Sequence, residues 1–286
     1  MASKRMVRHG CMSALGVFVL ACGEGATATA PATQDLQASR SSANAVTMSL
    51  TGRIVYVNKG LRVYDLATST DVDLRVSGVN PDFSPDGTLI TYQQPSGPGK
   101  GIRVMNANGT GGRVLNASGA NPSFDPTGTW VAFTDNGVWK VNVNGTGLQR
   151  LTTDAAHWPA WSPDGTQIAY GAPFGSVEQL FIVNADGTNR HQALTTNGSI
   201  IDVAWRPSSR LLFAMDYEIY SYDPADPSSL TRLMASGFEP TWSPDGTQIA
   251  WAGGSRKTSG IWIMNADGSN PQGPVIPGGR QGSWSY

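Results

Sequence analysis

Cysteine, histidine and charge are all scarce in this chain. Its 286 residues include two cysteines and three histidines, and only 14% are Asp, Glu, Lys or Arg. Both cysteines, Cys11 and Cys22, lie within the first 22 residues, so a fold beyond them must hold by packing and not by disulfides. His9, His157 and His191 stand at no metal-ligand spacing, which removes the usual zinc signatures. No Gly-x-Ser-x-Gly run supplies a nucleophile elbow, and nothing after the last repeat reads as a hydrolase domain. No basic patch or run of like charge argues for nucleic acid or an electrostatic tail. The one long apolar run, Met12 to Ala21, is ten residues, too short to cross about 30 Å of hydrocarbon as a helix.

That run follows Lys4, Arg5 and Arg8, and the combination reads as an export signal over residues 1–22. Val19-Leu20-Ala21-Cys22 resembles a bacterial lipobox, in which Cys22 becomes the lipidated first residue, although Leu20 stands where a smaller residue is usual. Gly23 after the cysteine resembles outer-membrane sorting. Residues 23–48, rich in Ala, Thr, Ser and Gln, have no apolar periodicity and read as a flexible tether. Cleavage before Cys22 would leave 17 of the 20 basic residues against 21 acidic ones, a net charge of −4. About 240 residues lie beyond the tether, enough to bury a core.

What those residues contain is a repeat. Trp161-Ser-Pro-Asp-Gly-Thr-Gln-Ile-Ala-Tyr170 and Trp242-Ser-Pro-Asp-Gly-Thr-Gln-Ile-Ala-Trp251 are its clearest copies. Degenerate copies begin at Phe83, Phe124 and Trp205, and a truncated one at Trp284; the anchors are 41, 37, 44, 37 and 42 residues apart. Each copy runs from an aromatic through a tight turn and an apolar strand to an Asn-x-Asp-Gly turn. A period near forty residues with four short strands marks propeller blades, not helical solenoids, which need long 3.6-period stretches.

One blade shows the parse. His157 to Ser162 is a first strand, and Pro163-Asp164-Gly165 a turn in which Pro presets φ and Gly accepts a positive one. Thr166 to Ala172 is a second strand, Leu180 to Val183 a third, and Arg190 to Leu194 an outer fourth after Asn184-Ala185-Asp186-Gly187. The same reading gives blades at 79–118, 119–155, 156–198, 199–237 and 238–278. Gly52–Val57 and Leu61–Asp65 read as second and third strands with no first, while Gln281–Trp284 is a first strand with nothing after it. Joined, they make a sixth blade, which removes two exposed sheet edges. The expectation is an all-β, six-bladed propeller over residues 49–286, with four antiparallel strands per blade and closure by the last strand.

The pattern Asn/Glu-Pro-x-Trp-Ser-Pro-Asp-Gly…Ile-Ala…Ile-x-Met-Asn-Ala-Asp-Gly-Ser resembles the repeat of TolB-type periplasmic β-propellers across residues 50–286. The resemblance implies a six-bladed propeller on the envelope side of a bacterium. Members of that family carry an α/β domain ahead of the propeller and are soluble in the periplasm; here the tether stands in that place.

Candidate functional residues come from register. The position just before the first-strand Pro holds Asn80, Asn121, Trp158, Asp202, Glu239 and Gln281. The first strand of a blade is innermost, so these six should ring one mouth of the channel. Their polarity suits a water-filled channel, and it also suits recognition of a cation or a partner's peptide tail, with His157 and Arg280 alongside. Asp202 and Glu239 would accept from ammonium or guanidinium groups, and Trp158 would stack on them. By contrast Asp86, Asp164, Asp245, Asn108, Asn144, Asp186 and Asp267 read as turn-stabilising residues. The runs Asn184-x-Asp186-Gly187-x-Asn189 and Asn265-x-Asp267-Gly268-x-Asn270 faintly resemble calcium loops but lack the carboxylates such a loop needs. Blade five is irregular: Arg206-Pro-Ser-Ser-Arg210 replaces the standard turn, and Tyr217, Tyr220, Tyr222, Asp223 and Asp226 stand where the others carry Asn-x-Asp-Gly.

The reading expected is a non-enzymatic, exported, monomeric binding scaffold in the periplasm or at the outer membrane, attached to membrane only through the lipid. Its partner would be an envelope protein or peptide, or a glycan, and no cofactor is expected. A calcium ion in the channel is an open alternative, and with it a metal-dependent propeller enzyme acting on sugars or lactones.

Overall fold

A computed structural model describes residues 50–285 with the exception of Arg206. The export signal, the lipobox cysteine Cys22 and the tether lie outside the described residues. Within them the chain forms 24 strands and no helix, gathered into six four-stranded antiparallel sheets. Five sheets are continuous in sequence, at residues 79–116, 120–150, 157–194, 200–234 and 238–277, close to the blades expected from the repeat. The remaining sheet, blade one, is Arg53–Val57, Leu61–Asp65 and Thr70–Val76 with Arg280–Ser285 as its innermost strand.

The repeated turns fold as their residues dictate. In blade four the Ser162 hydroxyl donates to Asp164 at 2.6 Å and accepts from the Gln167 N–H at 2.9 Å, while Asp164 accepts from the Thr166 N–H at 3.0 Å. Gly165 takes the positive φ of 70° that closes the turn. Blades two and six repeat this network through Ser84/Asp86 and Ser243/Asp245. At the second turn Asn108, Asn144, Asp186 and Asp267 each accept from the N–H two residues on. Asp186 and Asp267 therefore act as turn caps.

Six buried clusters fill the six gaps between blades. Trp161, Ile168 and Tyr170 of blade four pack with Ala132 and Val138 of blade three, and Trp284, Ile54 and Tyr56 of blade one pack with Ala250, Ile261 and Ile263 of blade six. Because both faces of a blade are covered, its second strand is a continuous apolar run and not an alternating one: Ile168 to Ala172 is buried throughout. The closing gap is filled like the rest. Arg280–Ser285 pairs with Arg53–Val57, with Ile54 opposite Trp284, and the Trp284 indole N–H donates to the Thr51 carbonyl at 3.0 Å.

Two details depart from the sequence reading. The middle hairpin of blade four is longer than expected, Gln167–Phe174 pairing with Val177–Asn184. In blade five Tyr217 does not sit at the Asn-x-Asp-Gly position. It forms, with Asp216, the tight turn between Leu211–Met215 and Glu218–Asp223, both residues having positive φ. Tyr220 and Tyr222 lie in the third strand, and only Asp223 and Asp226 flank the second turn. The two-residue turn shortened the hairpin and displaced the register.

Closure by one strand makes a prediction. Trp284→Ala should lower stability by about 3–5 kcal/mol, the usual effect of removing a buried large side chain, measured by urea denaturation. Deletion of residues 280–286 should abolish the cooperative transition.

Candidate binding site at the channel mouth

Each inner strand bends at the same place. The residues paired with the second strand skip from Val79 to Asp82, Ala120 to Ser123, His157 to Ala160, Ile201 to Ala204, Phe238 to Thr241 and Arg280 to Ser283. In four blades the second skipped residue is a proline, which has no N–H to give the ladder. Val203 and Gly282 replace it in blades five and one. The first skipped residue is the one singled out from sequence. Asn80, Asn121, Trp158, Asp202, Glu239 and Gln281 all have φ between 49° and 54°. Asn and Asp tolerate this left-handed conformation; Trp, Glu and Gln adopt it at a cost of order 1 kcal/mol or more. Turn propensity therefore accounts for three of the six residues and leaves Trp158, Glu239 and Gln281 unexplained.

The six line one cavity of about 630 Å³ that runs along the inner strands. Its walls include Phe83, Trp161, Trp205, Trp242 and Trp284, and its far end is bounded by Pro85, Pro126, Pro163, Pro207 and Pro244 from the repeated turns. One mouth is thus polar and the other proline-lined.

Around half of the polar mouth the side chains form a relay between blades. Asp202 accepts from the Glu239 N–H at 3.1 Å, Glu239 from the Gln281 N–H at 2.6 Å, and Gln281 from the Asn80 N–H at 3.3 Å. There the relay stops. The Asn80 amide donates instead to Gln93 of its own blade, and Trp158 has no acceptor to offer. Its indole stands 5.1 Å from the His157 ring, and His157 Nε2 lies 3.6 Å from the Glu178 carboxylate. Deeper in, Asp82 accepts from the Ser283 hydroxyl at 2.6 Å and the Phe124 N–H at 2.7 Å. This second tier escaped the sequence reading; its signal was the short or polar residue two positions after each ring residue. Among the described residues no three His, Cys, Asp or Glu side chains gather as a metal site.

No family model matches the chain. A TolB homologue from Chlorobium chlorochromatii is 30% identical over 122 residues, covering 40% of this chain and 28% of that protein. The Tol-Pal system protein TolB from Anaeromyxobacter dehalogenans is 30% identical over 98 residues, covering 32% of this chain and 22% of that protein. The matched stretch thus spans less than a third of either relative. Among solved structures, TolB from Acinetobacter baumannii superposes with a TM-score of 0.71 at 18% identity, covering 82% of this chain and 67% of that one. The chain is a TolB-like six-bladed propeller. The same fold also carries catalysis: oligogalacturonate lyase from Vibrio parahaemolyticus superposes at 0.53 with 14% identity, covering 74% of this chain and 70% of that one. The ring alone does not decide what a TolB-like propeller does.

The two carboxylates at this propeller's mouth are perturbed in one direction. Burial pushes Asp202 up to about 6. Burial, reinforced by the charge of Asp202, pushes Glu239 up to about 7, against the opposing N–H of Gln281 and the charge of Arg280. A raised acid favours the folded state when protonated, so the stabilisation is present at low pH and is lost as pH rises through 6 to 7. Glu239→Gln keeps an acceptor for the Gln281 N–H and removes the charge. It should match the parent at pH 4.5 and exceed it at pH 8 by on the order of 1–3 kcal/mol, read by denaturant melts at the two values.

Proposed function

We propose that this TolB-like propeller is a non-enzymatic binding scaffold of the bacterial envelope, exported, tethered through a lipid on Cys22, and taking an extended segment of an envelope protein at its polar mouth. The observation that carries the reading is that six side chains line the mouth of one cavity, three of them in a conformation their residue types resist. Backbone strain of this kind persists where the surroundings over-determine it, and it concentrates at ligand sites. The names of the relatives, one a Tol-Pal system protein, support an envelope protein as the partner. The closed ring needs no second copy to cover an edge. No helix among the described residues is long and apolar enough to cross a membrane.

The scaffold takes no cofactor in this reading. Asp202 and Glu239 each commit an oxygen to a backbone N–H, and among the described residues no third carboxylate, His or Cys stands with them to complete a metal-ligand group. A metal-dependent enzyme acting on sugars or lactones is disfavoured on the same donor set.

A photo-crosslinking residue at position 158, which already bears an aromatic in the strained conformation, tests the proposal in the native envelope. The control is the same residue at position 148, where Leu148 is exposed on the opposite face. A discrete protein adduct from position 158 alone, lost in an Asp202→Asn/Glu239→Gln background, is expected. No adduct, or equal adducts from both positions, overturns the reading. Stabilisation by glycans without an adduct replaces it with glycan binding.

A further inference from the structure

The strand order sorts the loops by face. Each inner strand starts at the polar mouth, so the hairpins joining second to third strands lie on that face, and the Asp- and Asn-capped turns lie on the other. The six hairpins on the polar face divide by charge. Blades six, one and two carry Arg256 and Lys257, Lys59, and Lys100, all exposed. Arg280, also exposed, begins the inner strand of blade one. None of these five cations has an ion-pair partner among the described residues, unlike Arg62, Arg190 and Arg232. Blades three, four and five carry Asp135, Glu178 and Asp216 at or beside the corresponding hairpins. They also carry two exposed aromatics, Phe174 at 58% and Tyr217 at 71%. At the hairpins cations predominate on blades six, one and two and carboxylates on blades three, four and five, although Arg150 reaches the Asn136 carbonyl of the blade-three hairpin and Glu239 belongs to blade six; the cavity mouth lies between the two halves.

We infer that the polar face recognises a partner segment of blocked charge: an acidic stretch lying over blades six, one and two, joined across the mouth to a basic or aromatic stretch over blades three, four and five. The inference rests on the protein-binding reading and specifies its partner. Charge complementarity on this scale fixes the direction in which a segment lies and rejects one of uniform sign, because each half repels what the other attracts. A planar anionic membrane fits poorly for the same reason. Its headgroups would meet Asp216 and Glu178 as well as the cations. The aromatics on the acidic half add cation–π partners for lysine or arginine.

Fluorescence anisotropy with two labelled peptides of equal composition tests this on the full propeller. One has four glutamates, four glycines and four lysines in blocks; the other has the same residues with glutamate and lysine alternating. The block peptide should bind at least tenfold more tightly at low salt, and its affinity should fall as ionic strength rises and the Debye length shrinks. Arg256→Glu/Lys257→Glu, in an exposed hairpin outside the mouth, should weaken the block peptide at least tenfold while leaving the melting temperature unchanged. Equal binding of both peptides, or block binding indifferent to the charge reversal, overturns the inference. So does preferential binding to phosphatidylglycerol vesicles over the block peptide. A protein adduct from position 158 that survives Arg256→Glu/Lys257→Glu would leave the scaffold standing and remove only the charge-block specificity.

Discussion

A propeller blade is a sheet with two apolar faces and cannot be stable with only one neighbour. Everything in this molecule follows from meeting that requirement six times. Five gaps close between blades that are consecutive in sequence. The sixth depends on Arg280–Ser285 lying beside Arg53–Val57 and on Trp284 entering the cluster with Ile261 and Ile263. Closure fixes the curvature of the ring and so brings the six inner strands to within side-chain reach of one another. The relay from Asp202 to Asn80, which joins a residue in the middle of the described chain to one near its start and one near its end, exists only because of it.

The bend in each inner strand is the second constraint. A left-handed residue followed by one left out of the ladder turns the backbone N–H of the ring residue away from its own sheet. In three blades that N–H meets a side chain from the preceding blade. The residues that make this link are Asp202, Glu239 and Gln281, whose side chains end in acceptors. Where the ring residue is Trp158 the link cannot form, and the mouth is left asymmetric. Carboxylates held in a half-buried relay, beside an indole that takes no part in it, are arranged to present chemistry on one side of the opening.

Much of this was legible in the sequence because the repeat repeats its turns. Trp-Ser-Pro-Asp-Gly and Asn-x-Asp-Gly fix strand ends by local hydrogen bonds, and local rules survive without tertiary knowledge. Register then delivered the ring, since equivalent positions in equivalent strands must fall on one circle. What stayed hidden depends on geometry between blades: the shared positive φ, the relay, and the second tier of Asp82 and Ser283. Blade five was misaligned at Tyr217 because Asp216-Tyr217 makes a two-residue turn from residue types that rarely do so, and no glycine marks it. The charge division of the hairpins was invisible for another reason. Lys59, Lys100 and Arg256-Lys257 are scattered across about 200 residues, and they become one arc only when the ring closes.

The two faces are under unequal constraint, and that inequality locates function. On the proline-lined face the first turn of the repeat needs Pro, Asp and Gly, and the second an Asn or Asp cap, for hydrogen bonds that hold the blade together. A changed residue there loosens a turn. On the polar face the hairpins vary from two residues in blade five to the longer Gly254–Ser259 connection in blade six, and few of their side chains are needed by the fold. The exposed hairpin cations, the exposed aromatics and the strained ring residues fall on this second face. A scaffold so built can alter what it binds without altering how it stands, because affinity resides in the loops of one mouth and stability in the turns of the other.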